Sequence, residues 1–111
     1  AGAEVDKATR RGQTPLIAAS NNGHAETVRL LIAAGADINH SNENGITALA
    51  TAATNGSEAT ARVLIDAGAD VNKASNAGIT PLDAASNLNN HDVVARMLRD
   101  AGARLGACTV M

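Results

Sequence analysis

Phenylalanine, tyrosine and tryptophan are all missing from this chain of 111 residues. Without them there is no ring to stack on a nucleobase, no cage for a quaternary ammonium and no aromatic anchor for an interface. Cys108 is the single cysteine, so no internal disulfide can form, which suits a reducing compartment. No apolar run of about 18 residues occurs, so no membrane-spanning helix is expected. The N-terminus also lacks the charged-then-apolar pattern of a secretory signal. An intracellular, cytoplasmic location follows as the expectation. Nine Lys and Arg against eleven Asp and Glu leave a net charge of −2, too little positive charge for a general affinity for nucleic acid. Large aliphatic side chains are scarce as well: 22 Leu, Ile and Val stand beside 25 Ala. Any core must therefore come from close approach of backbones through small side chains. The length suits one domain.

What the chain does have is a repeat. Ala-Gly-Ala occurs at Ala1–Ala3, Ala34–Ala36, Ala67–Ala69 and Ala101–Ala103, at intervals of 33, 33 and 34 residues. A second marker runs in phase, as Gly12-Gln13-Thr14-Pro15-Leu16, Gly45-Ile46-Thr47-Ala48-Leu49 and Gly78-Ile79-Thr80-Pro81-Leu82. A third is Asp37-Ile38-Asn39 and Asp70-Val71-Asn72, with Glu4-Val5-Asp6 as a looser first copy. Within each unit the punctuation has physical meaning. Thr14, Thr47 and Thr80 stand where a hydroxyl can cap the orphan N–H groups of a helix start. Pro15 and Pro81 follow at the position where a missing N–H costs nothing. Short Ala-rich first helices are expected over Leu16 to about Asn21, Leu49 to about Thr54 and Leu82 to about Asn87. Gly23 and Gly56 supply the turn. Second helices then carry Val28, Leu31 and Ile32, and Ala61, Leu64 and Ile65, on one face, and end at Gly35, Gly68 and Gly102.

The pattern Gly-x-Thr-Pro-Leu, small residues, Gly turn, paired aliphatics and Gly-Ala-Asp-Val-Asn resembles the ankyrin repeat over the whole chain. The resemblance implies an all-α solenoid of stacked antiparallel helix pairs with projecting hairpin-like fingers. A single domain over 1–111 is expected: a leading finger at 1–13, helices within about 14–34, 47–67 and 80–101, and a tail at 102–111. Such arrays are stabilised by unit and nearest-neighbour terms. The family's usual His after the Thr-Pro-Leu triplet is replaced by Ile17, Ala50 and Asp83, so its polar bridge is expected to be lost. The family's Asp before the finger Gly is replaced by Thr9, Asn42 and Ser75, which can still accept a local turn bond. The third unit carries one extra residue around Asn87-Leu88-Asn89-Asn90-His91, where Asn can take the place of Gly at positive φ. Arg99 takes the column of Ile32 and Ile65, which reads as a polar C-terminal cap: Arg99 exposed, the two isoleucines buried between units.

The resemblance also implies where a partner would bind, on the finger tips and the concave first-helix face. The matching positions are Arg10, Arg11, Gln13, Asn21 and Asn22; Glu43, Asn44, Ile46, Thr54 and Asn55; and Asn76, Ala77, Ile79, Asn87 and Leu88. Residues around the finger glycines vary between units whereas the scaffold markers repeat, and loops on a rigid scaffold are where specificity resides. Arg10 and Arg11 make the first tip basic, while Glu43 makes the second acidic. The partner is another protein, bound by a monomer, with no nucleic acid, membrane or cofactor involved. The other reading is a structural spacer, or an engineered or reconstructed scaffold with no selected partner, which the lack of aromatic hot-spot residues favours.

Remaining polar residues read as scaffold. Arg29, Arg62 and Arg96 form a column, with Glu58 and Asp66, and Asp92 and Asp100, placed for pairing at i±4. His24, His40 and His91 lie in different units, and no set of metal ligands converges. Cys108 has no base to activate it, and no catalytic constellation of any kind assembles, so no enzyme is expected. Leu31 to Asn39 and Leu64 to Asn72 fit the acceptor pattern of the asparaginyl hydroxylase that modifies ankyrin repeats, with Asn39 and Asn72 as the sites. Asn39-His40-Ser41 and Asn55-Gly56-Ser57 are formal glycosylation sequons expected to stay bare. The ending Thr109-Val110-Met111 has the look of a ligand for strand-addition pockets, against the plainer reading of an apolar tail lying with Leu105.

Overall fold

The three threonines begin the three units as caps. In the computed structural model, which describes residues 12–86 and 91–103 in full and the backbone course of 87–88, Thr14 Oγ1 accepts from the N–H of Ile17 at 3.3 Å. Thr47 Oγ1 accepts from Ala50 at 3.2 Å, and Thr80 Oγ1 accepts from Asp83 at 3.2 Å. Behind these caps run the helices α1 (Pro15–Asn21) and α2 (Ala25–Ala33), then α3 (Ala48–Asn55) and α4 (Glu58–Asp66). The third unit holds a π-helical segment (Asp83–Leu88) and α5 (Asp92–Asp100). First helices pack on first helices, α1 on α3 and α3 on the π-helical segment, while α2 packs on α4 and α4 on α5. Each helix also packs on its partner in the same unit. The result is two helical layers in a solenoid, with no strand among the described residues.

The core between the layers matches the scarcity of large side chains. Leu16, Leu49 and Leu82 form one buried column, Ala19, Ala52 and Ala85 a second, and Val28, Ala61 and Ala95 a third. Ala52, Ala53, Ala61 and Ala85 are wholly buried; a larger side chain there would force the layers apart. Each buried Leu or Val removes enough apolar surface from water to contribute about 1.5–3 kcal/mol. Ile32 and Ile65 are half-buried, less than the sequence suggests, because they sit at the edge of this core. Arg99, in their column, is exposed as expected.

The third unit departs from a plain α-helix, and its extra residue is the reason. Equivalent bonds close the turn after each first helix: His24 N–H to Ala19 O, Ser57 N–H to Ala52 O and His91 N–H to Ala85 O. They span five, five and six residues. A π-helix encloses one more residue per hydrogen bond than an α-helix. The insertion is therefore absorbed over Asp83–Leu88, and α5 regains the register of α2 and α4. The positions 89 and 90, where Asn was expected to replace Gly, lie outside the described residues.

Asp83 also corrects the expected loss of the polar bridge. It is completely buried, and its Oδ2 accepts from the N–H of Thr80 at 2.9 Å. With the return bond from Asp83 N–H to Thr80 Oγ1 this is a reciprocal capping box. In the first two units the apolar Ile17 and Ala50 are buried at the same place.

Between units the chain projects fingers. Asn42 N–H donates to Ile46 O at 3.0 Å, and Ser75 N–H to Ile79 O at 2.9 Å. Asn42 Oδ1 holds the second finger from inside, accepting from Asn44 and Ile46 N–H at 2.8 and 3.1 Å. Ser75 Oγ does the same for Ala77 and Ile79, at 3.2 and 3.3 Å. Neighbouring fingers join where Asn76 N–H donates to Asn44 O at 2.9 Å. Gly45 makes this approach possible: at φ +78° a Cβ there would stand 2.8 Å from Asn76 N.

Candidate functional site

On the first-helix side, at the junction of the first two units, lies an open depression of about 260 Å³. Three elements build it. The end of α1 contributes Ile17 and Asn21, the second finger contributes Asn42 and Ile46, and α3 contributes Thr51, Thr54 and Asn55, with Gln13 at the margin. Thr51, Thr54 and Asn55 share a face because residues three and four apart on a helix are neighbours. The structure thus brings Gln13, Asn21, Ile46, Thr54 and Asn55 together from two fingers and two first helices.

Hydrogen-bond chemistry fixes how these side chains point. Asn55 Nδ2 donates to Asn21 O at 3.0 Å and to Asn21 Oδ1 at 3.1 Å. A main-chain carbonyl only accepts, so the Asn55 amide nitrogen must face it. Thr51 Oγ1 donates to Thr47 O at 3.0 Å and Thr54 Oγ1 to Ala50 O at 2.9 Å. No charged side chain lines the depression.

The other expected positions are dispersed. Asn22, Glu43, Asn44 and Ala77 are exposed. Asn76 bridges fingers, its Nδ2 donating to Glu43 O at 2.8 Å, and Ile79 packs against the core. Arg10 and Arg11 lie outside the described residues, as do the side chains of Asn87 and Leu88. Ile17, Asn42 and Thr51 line the depression without having been singled out. Thr51 was open to inference: it lies one helical turn before Asn55 and replaces the Ala18 and Ala84 of its column.

Asn39 and Asn72 sit on the opposite, Ala-Gly-Ala side of the fingers. Asn39 Oδ1 accepts from Asp70 N–H at 2.7 Å, and Asn72 Nδ2 donates to Gly102 O at 3.3 Å. Both side chains therefore tie one unit to the next. Two histidines act similarly. His40 Nε2 donates to Gly12 O at 3.1 Å and His91 Nε2 to Thr54 O at 3.0 Å, since the carbonyls can only accept. Among the described residues no group of three or more His, Cys, Asp or Glu converges. Cys108 and Thr109-Val110-Met111 lie outside those residues.

The outer, second-helix side corrects the expected ion pairs. Arg29 pairs with Glu26 at 2.7 Å, three residues away, with both side chains more than half exposed. Neither Arg62 nor Arg96 closes on a carboxylate within 4.0 Å among the described residues. Solvated charges gain little from a fixed pair and lose side-chain entropy by forming one. Leu30, at 61% exposure, is the most exposed large apolar side chain on this side.

Stacked helix pairs with protruding turns and a groove along one layer define a helical-repeat scaffold, a class whose extended inner surface takes partners. The family model for ankyrin repeats (3 copies) matches residues 16–107, and the chain belongs to that family. Ankyrin repeats are generally protein–protein interaction modules and typically non-catalytic. Comparison with curated proteins returns no match. Among the described residues no helix is long and apolar enough to cross a membrane.

Proposed function

We propose that the chain is a non-catalytic protein-binding module that takes its partner, as a monomer, against the finger tips and the first-helix face. The observation that carries this reading is the groove at the first junction, where five of the expected positions meet. Basic Arg10 and Arg11 at the first tip and acidic Glu43 at the second would orient a partner whose acidic group meets the first unit. A displayed library of protein fragments selected on the chain supplies binders for the test. Arg10→Glu with Arg11→Glu should slow association and reduce its salt dependence, because exposed charges act mainly on encounter. Arg62→Glu, on the outer face, should leave affinity nearly unchanged. Binders lost equally with both variants, or only with Arg62→Glu, would place the partner on the other surface. Sedimentation with and without binder checks the monomer.

A further inference from the structure

The groove at the first junction is polar in a directional way. On the α3 side, the hydroxyl protons of Thr51 and Thr54 are committed to the carbonyls of Thr47 and Ala50. Both amide protons of Asn55 are committed to Asn21. What these three side chains can still offer is lone pairs, so this side only accepts. On the other side, Asn21 Oδ1 is occupied by Asn55, and Asn42 Oδ1 holds two finger N–H groups. Their Nδ2 groups have no partner among the described residues, and this side only donates. Ile17 and Ile46 supply the apolar floor.

We infer that this groove holds an extended stretch of polypeptide whose residues there are uncharged, bound through its main-chain amides. This rests on the reading of the first-helix face as the binding surface and adds the chemistry of what lies in it. An extended backbone presents N–H and C=O groups in alternation to its two sides, which is the complement of one accepting and one donating side. A carboxylate would meet the lone pairs of Thr51, Thr54 and Asn55. An ammonium or guanidinium would face the Asn21 and Asn42 amides and find no anion among the lining residues. Either charge would be desolvated without compensation. The side chain over Ile17 and Ile46 is then small or aliphatic.

A phage-displayed library of random 12-residue peptides selected on the whole chain tests this. The expected binders share a central uncharged stretch, and their affinity changes less than twofold between 0.05 and 0.5 M NaCl. Asn21→Asp keeps an oxygen for Asn55 but replaces the donor by an acceptor, and should weaken binding at least tenfold. Thr51→Val removes one acceptor and should weaken it several-fold. A peptide N-methylated at a central amide should bind as weakly to the natural chain as the parent peptide binds to Thr51→Val. Thermal melts confirm that both variants remain folded. Binders with a charged centre and steep salt dependence that are still lost with Asn21→Asp overturn the amide inference and leave the binding face standing. Binders indifferent to Asn21→Asp and Thr51→Val but lost with Arg62→Glu overturn both, as does a selection that enriches nothing.

Discussion

At the first junction, Ser57 Oγ stands 3.5 Å from the place a Cβ on Gly23 would take; at the second, the His91 ring comes within 2.5–2.8 Å of that place on Gly56. Both glycines have φ +70°, so the backbone is the same and the neighbour differs. The second junction must also absorb an extra residue, and it is held by polar contacts the first lacks: the His91 bond to Thr54 O and the buried Asp83 box. The first junction instead has its polar pair, Asn21 and Asn55, at the exposed rim of the groove. One junction uses polar groups to fix the stack, the other leaves them with valences facing solvent.

The largest expected effect sets the two glycines against each other. Ala at positive φ costs about 1–2 kcal/mol wherever it stands, and Gly23→Ala should cost that much. Gly56→Ala must also displace the imidazole, adding about 1–3 kcal/mol as an overpacking term. Denaturant unfolding measures both. His91→Ala in the Gly56→Ala background should bring the cost of the alanine back toward that at Gly23, and full additivity would show that the ring is not the obstacle.

Removing Asp83 comes next. Asp83→Ala leaves the buried N–H of Thr80 without its carboxylate, a loss of about 1–3 kcal/mol. Asp83→Asn keeps an acceptor there and should lose less. Equal losses from the two would mean that charge rather than the N–H bond is what matters at this box.

A gain is expected at the second helix of the middle unit. Thr60 Oγ1 is buried with no hydrogen-bond partner, while the exposed Thr27 precedes it in the column and the buried Val94 follows it. Thr60→Val should stabilise by about 1 kcal/mol by removing an unsatisfied hydroxyl. Thr27→Val should stay within about 0.5 kcal/mol of the parent. Destabilisation by Thr60→Val would reveal a bond to the hydroxyl.

These contrasts also mark how far the sequence carries. The caps, the turn glycines and the columns of small residues were legible because each depends on neighbours within a few positions. The extra residue of the third unit was legible too, though its absorption into a π-helix was not. That choice depends on the pull of α3 and α4 on both ends of the segment. Asp83 was misread as a mere loss of the family's His, although Thr80-x-x-Asp83 has the spacing of a capping box. The ion pairs expected around Arg62 and Arg96 did not form, since i±4 spacing permits a pair without requiring one. In the groove, finger and helix register placed Asn21 and Asn55 on the right face. That Asn55 would turn its amide protons back onto Asn21, 34 residues earlier, depends on how far the units rotate in stacking, and no local pattern encodes that angle.

The smallest expected effect bears on that pair. Asn55→Ala removes two hydrogen bonds, but both partners are exposed and regain water when freed. The net loss should be about 0.5 kcal/mol, a fall of about 2–4 °C in Tm for a domain of this size. Asn22→Ala, one column over with an exposed side chain, should change Tm less. The substitution is more informative for what it does to the groove. Asn21 Oδ1 loses its donor and the carboxamide is free to turn, so the separation into an accepting and a donating side is lost while the stack survives. If Asn55→Ala instead unfolds the chain as severely as Gly56→Ala, the carboxamide pair is what holds the first junction, and the distinction between the two junctions fails.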